Sequence, residues 1–437
     1  MAWQLALAII LGSLFLLMVT GLPIAFCFML VNIVGAFVLW GGNIGLIQFI
    51  RSISGSITVF TMLPVPLFIL MGEIMFQTGI SERMIDALDK WLGRMPGRLS
   101  LLAIGGGTLF ATLSGSSMAS VAMLGSTLVP EMEKRGYKKT MTVGPILGSS
   151  GLAIMIPPSG LGVIAAAIGK FSIGKLLIAI LIPGLLMAVF YGAYVIIRCR
   201  LQPYLAPVYE VSPTPLSHKI LSGVRYILPL GLIIFLVLGG IFLGIATPSE
   251  AAALGVIGSF ILAACYKGLT WDVMKKSLMG TVRLTAMVML IMAGALAFSQ
   301  ILAFSQVTQG LVEAFINLPV SPILVILLMQ VVVVIMGMFM DVLAIIMITL
   351  PIFMPVVLNL GFDPVWFGAI FLLSIETGTT SPPFGLNLYV MKGAAPPDTT
   401  MNDIYRGALP FIFCDLVVIG LMLAFPSISL WLPGIMR

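Results

Sequence analysis

Nineteen consecutive residues, 226–244, and nineteen more, 322–340, carry no charged side chain. Each run matches the ~20 residues that a helix needs to cross a ~30 Å hydrocarbon layer, where every backbone N–H and C=O must be satisfied within the segment itself. Similar runs recur along the chain, which is therefore expected to be an all-α polytopic membrane protein. Composition agrees: 60% of the 437 residues are hydrophobic and 9% are charged, whereas a soluble domain spends about 25% on charged residues. The 22 basic and 16 acidic residues leave a formal charge of +6. The basic ones are scattered over short loops rather than gathered on one face, which excludes nucleic-acid binding as their purpose.

Several chemistries are excluded as well. Cys27, Cys199, Cys265 and Cys414 are far apart in sequence, so they read as core thiols rather than metal ligands or a disulfide framework. The single histidine, His218, lies in a polar stretch. No histidine metal site or Ser–His nucleophile pair can be built from it, and the protease suggested by Ser114-Gly115-Ser116 is set aside. The chain is not expected to be an enzyme. The first residues, MAWQLALAII, have no basic flank and no cleavage site, so they are expected to form a retained first span.

Apolar runs punctuated by Gly, Pro and charge place spans near residues 3–20, 23–40, 58–79, 137–168 and 173–198. A second set follows near 226–244, 248–266, 283–303, 362–395 and 405–432. Each set includes an apolar stretch interrupted in its middle, 99–130 and 322–356. A shift of 225 residues lays Pro130 on Pro355, Gly136 on Gly361, Pro157-Pro158 on Pro382-Pro383 and Gly160 on Gly385. Coincidence does not produce a Pro-Pro pair and a following glycine in one register, so the chain reads as two repeats, 1–198 and 226–437. Residues 199–225 are then a polar linker. If each interrupted stretch is a re-entrant hairpin (99–130 and 322–356), each repeat crosses five times and the two have inverted topology. Broken helices at 137–168 and 362–395 complete each half. Cytoplasmic loops collect Lys and Arg, and this topology puts 18 of the 22 basic residues on one side. Only Arg51, Lys170, Lys175 and Arg437 fall on the other, which places both termini outside.

Inverted repeats with interrupted helices bind substrate and ions where the broken ends meet. The first hairpin tip reads Ser114-Gly115-Ser116-Ser117. Hydroxyls and carbonyls of unwound backbone at such a tip suit a hard monovalent cation, while the helix starting near Ser117 offers unpaired N–H groups to an anion. A plain Gly/Ser packing patch is the alternative. Opposite it, Pro157 and Pro158 free carbonyls near Ser149, Ser150 and Gly151. In the second half the tip carries Gly337 and Asp341, and the break carries Glu376, Thr377, Gly378, Thr379 and Thr380. A carboxylate at mid-bilayer costs roughly 2.5–3.5 kcal/mol on insertion scales, so Asp341 and Glu376 are functional candidates. A capping role for Asp341 and a structural role for Glu376 stay open. Glu73, Glu250 and Asp415 read as hydrogen-bonded structural carboxylates. Ser116, Ser117, Pro158, Ser159, Pro383 and Asn387 are the candidate substrate contacts. No Lys or Arg lies near the centre of a span, so a bound anion needs helix ends and accompanying cations; cation-coupled uptake is favoured over exchange. Residues 81–98, with Met84, Ile85, Leu88, Trp91 and Leu92 on one face, read as an interfacial helix, and 305–317 as its less charged counterpart.

The strings LFATLSGSSMASVAMLGSTLVPEM, IPPSG and GTTSPPFGLNLYVMKG resemble the large membrane subunit of a tripartite ATP-independent periplasmic transporter, over essentially the whole chain. The resemblance implies an elevator-type ion-transporter fold and sodium-coupled uptake of an organic acid, of dicarboxylate or sialic acid type, in a bacterial inner membrane. It implies a separate four-span membrane subunit and a periplasmic binding protein that delivers the substrate. It also implies a first sodium site at Ser114, Gly115, Ser116 and Ser117 with Ser149, Ser150 and Gly151. The second would use Gly337, Asp341 and Thr377 to Thr380. A stand-alone cation-coupled carboxylate carrier is the competing reading.

Overall fold

The computed structural model describes residues 3–58, 62–93, 95–208, 215–317 and 319–436, except the side chains of 56, 57, 81, 82 and 111–114. Within them the chain is helical throughout, with no strand. The first half runs α1 (Trp3–Val19), α2 (Ile24–Leu39), α3 (Asn43–Ile57), α4 (Pro64–Gln77), α5 (Ile80–Trp91), α6 (Arg98–Ser114) and α7 (Ser117–Lys134). It continues through α8 (Lys139–Met155), α9 (Gly160–Gly169), α10 (Ile173–Ala179) and α11 (Leu181–Leu201). After α12 (Leu216–Ser222) and a π-turn at Gly223–Ile227 come α13 (Leu228–Phe242), α14 (Pro248–Cys265), α15 (Trp271–Phe304) and α16 (Val307–Ile316). Last are α17 (Pro322–Phe339), α18 (Val342–Asn359), α19 (Pro364–Thr379), α20 (Leu386–Ala394), α21 (Met401–Ala424) and α22 (Ser427–Gly434).

Seven of the described helices are long and apolar enough to cross a bilayer, and α8 with α9, bent by 49°, counts as an eighth. The other apolar helices have 10–17 residues. Helix bounds follow the register of the sequence shift: 117–134 plus 225 is 342–359, the bounds of α18, and 139–155 becomes 364–380 against α19 at 364–379. Both Pro157-Pro158 and Pro382-Pro383 are cis. Local chemistry explains the starts. Thr247 with Glu250, and Thr400 with Asp403, make reciprocal capping boxes at α14 and α21, and Asp363 accepts from Val365 and Trp366 N–H at α19. Each spares backbone donors that would otherwise be orphaned at a helix start.

Three features differ from the expected segments. The helix α3 was not anticipated, because Gln48, Arg51 and four serines or threonines around 52–58 break up its apolar character. The span expected at 283–303 begins at Trp271; its first turns carry Asp272, Lys275 and Lys276, which end an apolar run but suit a helix, with Lys276 and Asp272 paired at 2.7 Å. Where the first half has α3 and α4 as two pieces, the second has one helix of 34 residues. The polar linker is also partly helical, since α11 reaches Leu201 and helix resumes at Leu216; residues 209–214 lie outside the described set.

The centre of the molecule is built from α8, α18 and α19. Every residue from Met141 to Met155 in α8 and from Val365 to Thr379 in α19 is buried. A helix apolar on all sides belongs inside, and glycine lets its neighbours come close: a Cβ on Gly144 would stand 2.5 Å from the Gly407 carbonyl of α21.

At one end of this core Lys139 ties the halves together, with Nζ 2.6 Å from Asp398 Oδ2 and 3.5 Å from Glu133 Oε1. Its hydrogen bond holds the Asp398 carboxyl below the usual carboxylate range. A lowered folded-state value means that the tie contributes fully above the unfolded value of about 4 and is lost as pH falls through the folded one. Lys139→Gln is expected to lower the melting temperature by about 1–2 °C at pH 7, as an exposed pair should. The difference between variant and wild type should close on acidification below about pH 4; a gap that persists there would show that the charge is not what matters.

Candidate ion and substrate site

Two helix crossings involve residues of the expected sets. In the first half α6 lies along α8, and a Cβ on Gly107 would overlap Ser149 Oγ. The hairpin turns at Gly115, whose φ of 61° is left-handed and suits glycine. Ser116 then caps α7, accepting from Ala119 N–H at 3.3 Å, and Ser117 is buried behind it. The Ser114 side chain lies outside the described residues. The hydroxyls of Ser149 and Ser150 donate to the carbonyls of Ile146 and Leu147, so their lone pairs, not their protons, remain for a ligand.

In the second half α17 meets α19 backbone against backbone. A Cβ on Gly337 would be 2.7 Å from Gly378 Cα, and one on Gly378 would be 2.6 Å from the Val334 carbonyl. Asp341 caps α18, with Oδ2 accepting from Leu343 N–H at 3.0 Å. It is a cap by geometry, at the tip where the sequence reading put it. Thr377, Thr379 and Thr380 donate to Leu373, Glu376 and Thr377 carbonyls, and their oxygens keep free lone pairs as the serines do.

The two halves join at Glu376. A Cβ on Gly151 of α8 would sit 2.7 Å from Glu376 Cγ, so the broken helices cross at this residue pair. Glu376 is 1% exposed and Asn387 0%. The Asn387 amide donates to Glu376 Oε1 and to Thr379 Oγ1, both at 3.2 Å. Glu376 Oε2 and Asn387 Oδ1 are buried acceptors without a donor among the described residues. Buried oxygens lacking donors are costly, and an oxygen-rich, donor-poor pocket is what a hard cation requires. The Asn387 amide is thus turned toward Glu376 and Thr379.

The remaining candidates are placed as follows. Ser159 is buried and caps α9, accepting from Gly162 N–H at 3.1 Å, and Pro158 lines a small apolar cavity with Met71 and Met75 of α4. The Pro383 carbonyl accepts from Tyr405 Oη at 2.8 Å. Sequence reasoning did not identify Phe339 and Phe384, whose rings stand 5.4 Å apart across the second tip and break; nothing in a string of apolar residues singles them out. It also did not pair Tyr191 with Asp415, although the tyrosine donates to that carboxylate between α11 and α21. Asp415 is accordingly a hydrogen-bonded structural carboxylate. Glu250 is one too, in its capping box. The described residues contain no cluster of three or more His, Cys, Asp or Glu.

The family model for the tripartite ATP-independent periplasmic transporter, DctM component, matches residues 11–428. The chain is 34% identical over 378 residues, 86% of each protein, to the C4-dicarboxylate TRAP transporter large permease protein DctM of Pseudomonas aeruginosa. It is 32% identical to the isethionate TRAP transporter permease protein DctMQ of Oleidesulfovibrio alaskensis, covering 98% of this chain and 66% of that one. It is 30% identical to the sialic acid TRAP transporter large permease protein SiaM of Vibrio cholerae, over 95% and 96%. Among solved structures the YdaH transporter of Alcanivorax borkumensis shares the fold, with a TM-score of 0.62, 16% identity and 91% coverage of both chains.

Proposed function

The chain belongs to the DctM component family of tripartite ATP-independent periplasmic transporters, and from that premise we propose that it takes up an organic acid together with sodium ions. It is a multi-pass membrane transport protein rather than an enzyme. The observation that carries the sodium reading is the donor-poor oxygen centre at Glu376 and Asn387. Among the described residues Arg98 is the one buried basic side chain, and it pairs with Asp89 at 2.8 Å. Among the described residues no other buried cation is therefore at hand to neutralise these oxygens or a bound carboxylate. Sodium at the first set, Ser114 to Ser117 with Ser149 to Gly151, and at the second, Gly337, Asp341 and Glu376 to Thr380, supplies the charge. The organic acid then sits between the tips, against Ser116, Ser117 and Ser159 and the Pro158 and Pro383 breaks. Each net positive charge carried inward gains about 2.3 kcal/mol per 100 mV.

The partners follow the same reading: a separate small membrane subunit, and a periplasmic binding protein that hands over the acid. The frame would hold still while the hairpins and broken helices slide as one body, an elevator movement. The protein would lie in a bacterial inner membrane with both termini periplasmic, as the distribution of basic residues favours. Uptake of a labelled organic acid into proteoliposomes, driven by an inward sodium gradient, tests the scheme. Uptake should require both sodium and the binding protein. Equal rates in potassium would remove the coupling, and fast uptake without the binding protein would favour a stand-alone carrier.

A further inference from the structure

Three segments far apart in sequence meet at one surface: α5, the π-turn before α13, and the end of α14. Lys90 Nζ donates to Ser222 Oγ at 3.1 Å, and a Cβ on Gly223 would lie 3.3 Å from the Trp91 indole nitrogen. The Arg83 guanidinium stands 5.9 Å from the centre of the Tyr266 ring. Tyr266 in turn donates to the Arg225 carbonyl, and its ring is 5.6 Å from that of Tyr226. The Arg225 guanidinium is 5.6 Å from the Tyr226 ring. Arg83, Arg225 and Lys267 are exposed. None of the ion pairs among the described residues involves them or Lys90; of the described α5 acids, Asp89 pairs with Arg98 and the exposed Asp86 makes no ion pair.

We propose that this surface binds the head group of an anionic phospholipid, with the phosphates held by Arg83, Lys90, Arg225 and Lys267. Like charges with no ion-pair partner among the described residues repel one another until an anion arrives, and each cation near an anionic lipid surface strengthens attachment about fivefold. The surroundings favour lipid over a soluble anion. Beside the cations Leu221, Val224 and Leu228 are 60%, 52% and 59% exposed, a strip that acyl chains would cover. Trp91 is 50% exposed, and tryptophan and tyrosine prefer the head-group level. Two phosphates on one molecule would bridge the arginines on α5 and on the π-turn, so a diphosphatidyl lipid should bind more tightly than a monophosphate lipid. The site does not depend on the sodium reading. It would tie the amphipathic α5 to the frame through a lipid.

Native mass spectrometry on the full-length, delipidated protein with dioleoyl lipids is the test. Cardiolipin is expected to bind at least about 30-fold more tightly than phosphatidylethanolamine, with phosphatidylglycerol between them. The triple variant Arg83→Gln, Lys90→Gln, Arg225→Gln should reduce that preference to under about threefold. Arg83→Lys with Arg225→Lys should keep most of it, and Lys170→Gln with Lys175→Gln, away from this surface, should leave it intact. Lipid-free melting curves report whether the triple variant folds, and Lys267→Gln alone, on an exposed side chain, should still weaken cardiolipin by about fivefold. The proposal is overturned by equal wild-type binding of charged and zwitterionic lipids, by a preference that is undiminished in the triple variant or in Lys267→Gln, or by inorganic pyrophosphate displacing cardiolipin at equal concentration.

Discussion

Gly378→Ala is expected to cut sodium-driven uptake by at least about fivefold, although it adds a single carbon. That carbon would stand 2.6 Å from the Val334 carbonyl and 2.7 Å from Gly337 Cα. Both are backbone atoms, so no rotamer change relieves the overlap, and the arm α17 must move off α19. Overpacking of this kind costs typically 1–3 kcal/mol, enough for a factor of about 5–150 if it falls on the transporting state. The displaced arm also carries the tip at Asp341. Gly420→Ala, on α21, meets nothing within 4 Å and should transport within about twofold of wild type. Comparable rates for the two variants in proteoliposomes would show that the α17–α19 contact does not position the site.

Asp341→Asn should be more damaging to transport than to folding. Asp341 Oδ2 caps α18 through Leu343 N–H, and asparagine caps nearly as well as aspartate. The fold should keep its melting temperature while the charge offered to sodium disappears. The expected result is uptake down about 100-fold, with the sodium concentration for half-maximal rate raised by about tenfold or more, corresponding to ~1.4 kcal/mol or more of lost ion binding. Asp341→Ala removes the cap as well and should lose a further ~1 kcal/mol of stability. If Asp341→Asn transports at the wild-type rate with unchanged sodium dependence, the carboxylate is a cap and nothing else. The alanine variant alone could not make that distinction, because it changes both properties together.

The breaks around the candidate site could be read in the sequence because unusual residues mark them. Gly115, the Pro-Pro pairs and Asp341 each break a rule that an ordinary membrane helix obeys, and the helix bounds fall where those breaks put them. Other contacts carry no local mark. The packing of Glu376 against Gly151 and the reach of the Asn387 amide back to Glu376 and Thr379 are of this kind. The helix α3 was missed because Arg51 and its serines make it amphipathic rather than apolar, and a search for bilayer-length apolar runs passes over it.

The sequence by itself determined the solvent and the punctuation of this protein. Scarce charge demands a membrane, because long runs with so few charges would leave too much apolar surface in water. Glycine and proline mark the breaks, because they act on the backbone of their own segment. Only the tertiary structure decided which breaks face each other and which oxygens are left without donors. It likewise decided that Arg83, Lys90 and Arg225 share one surface. Those are properties of residues on different helices, set by helix packing, and no local preference encodes them.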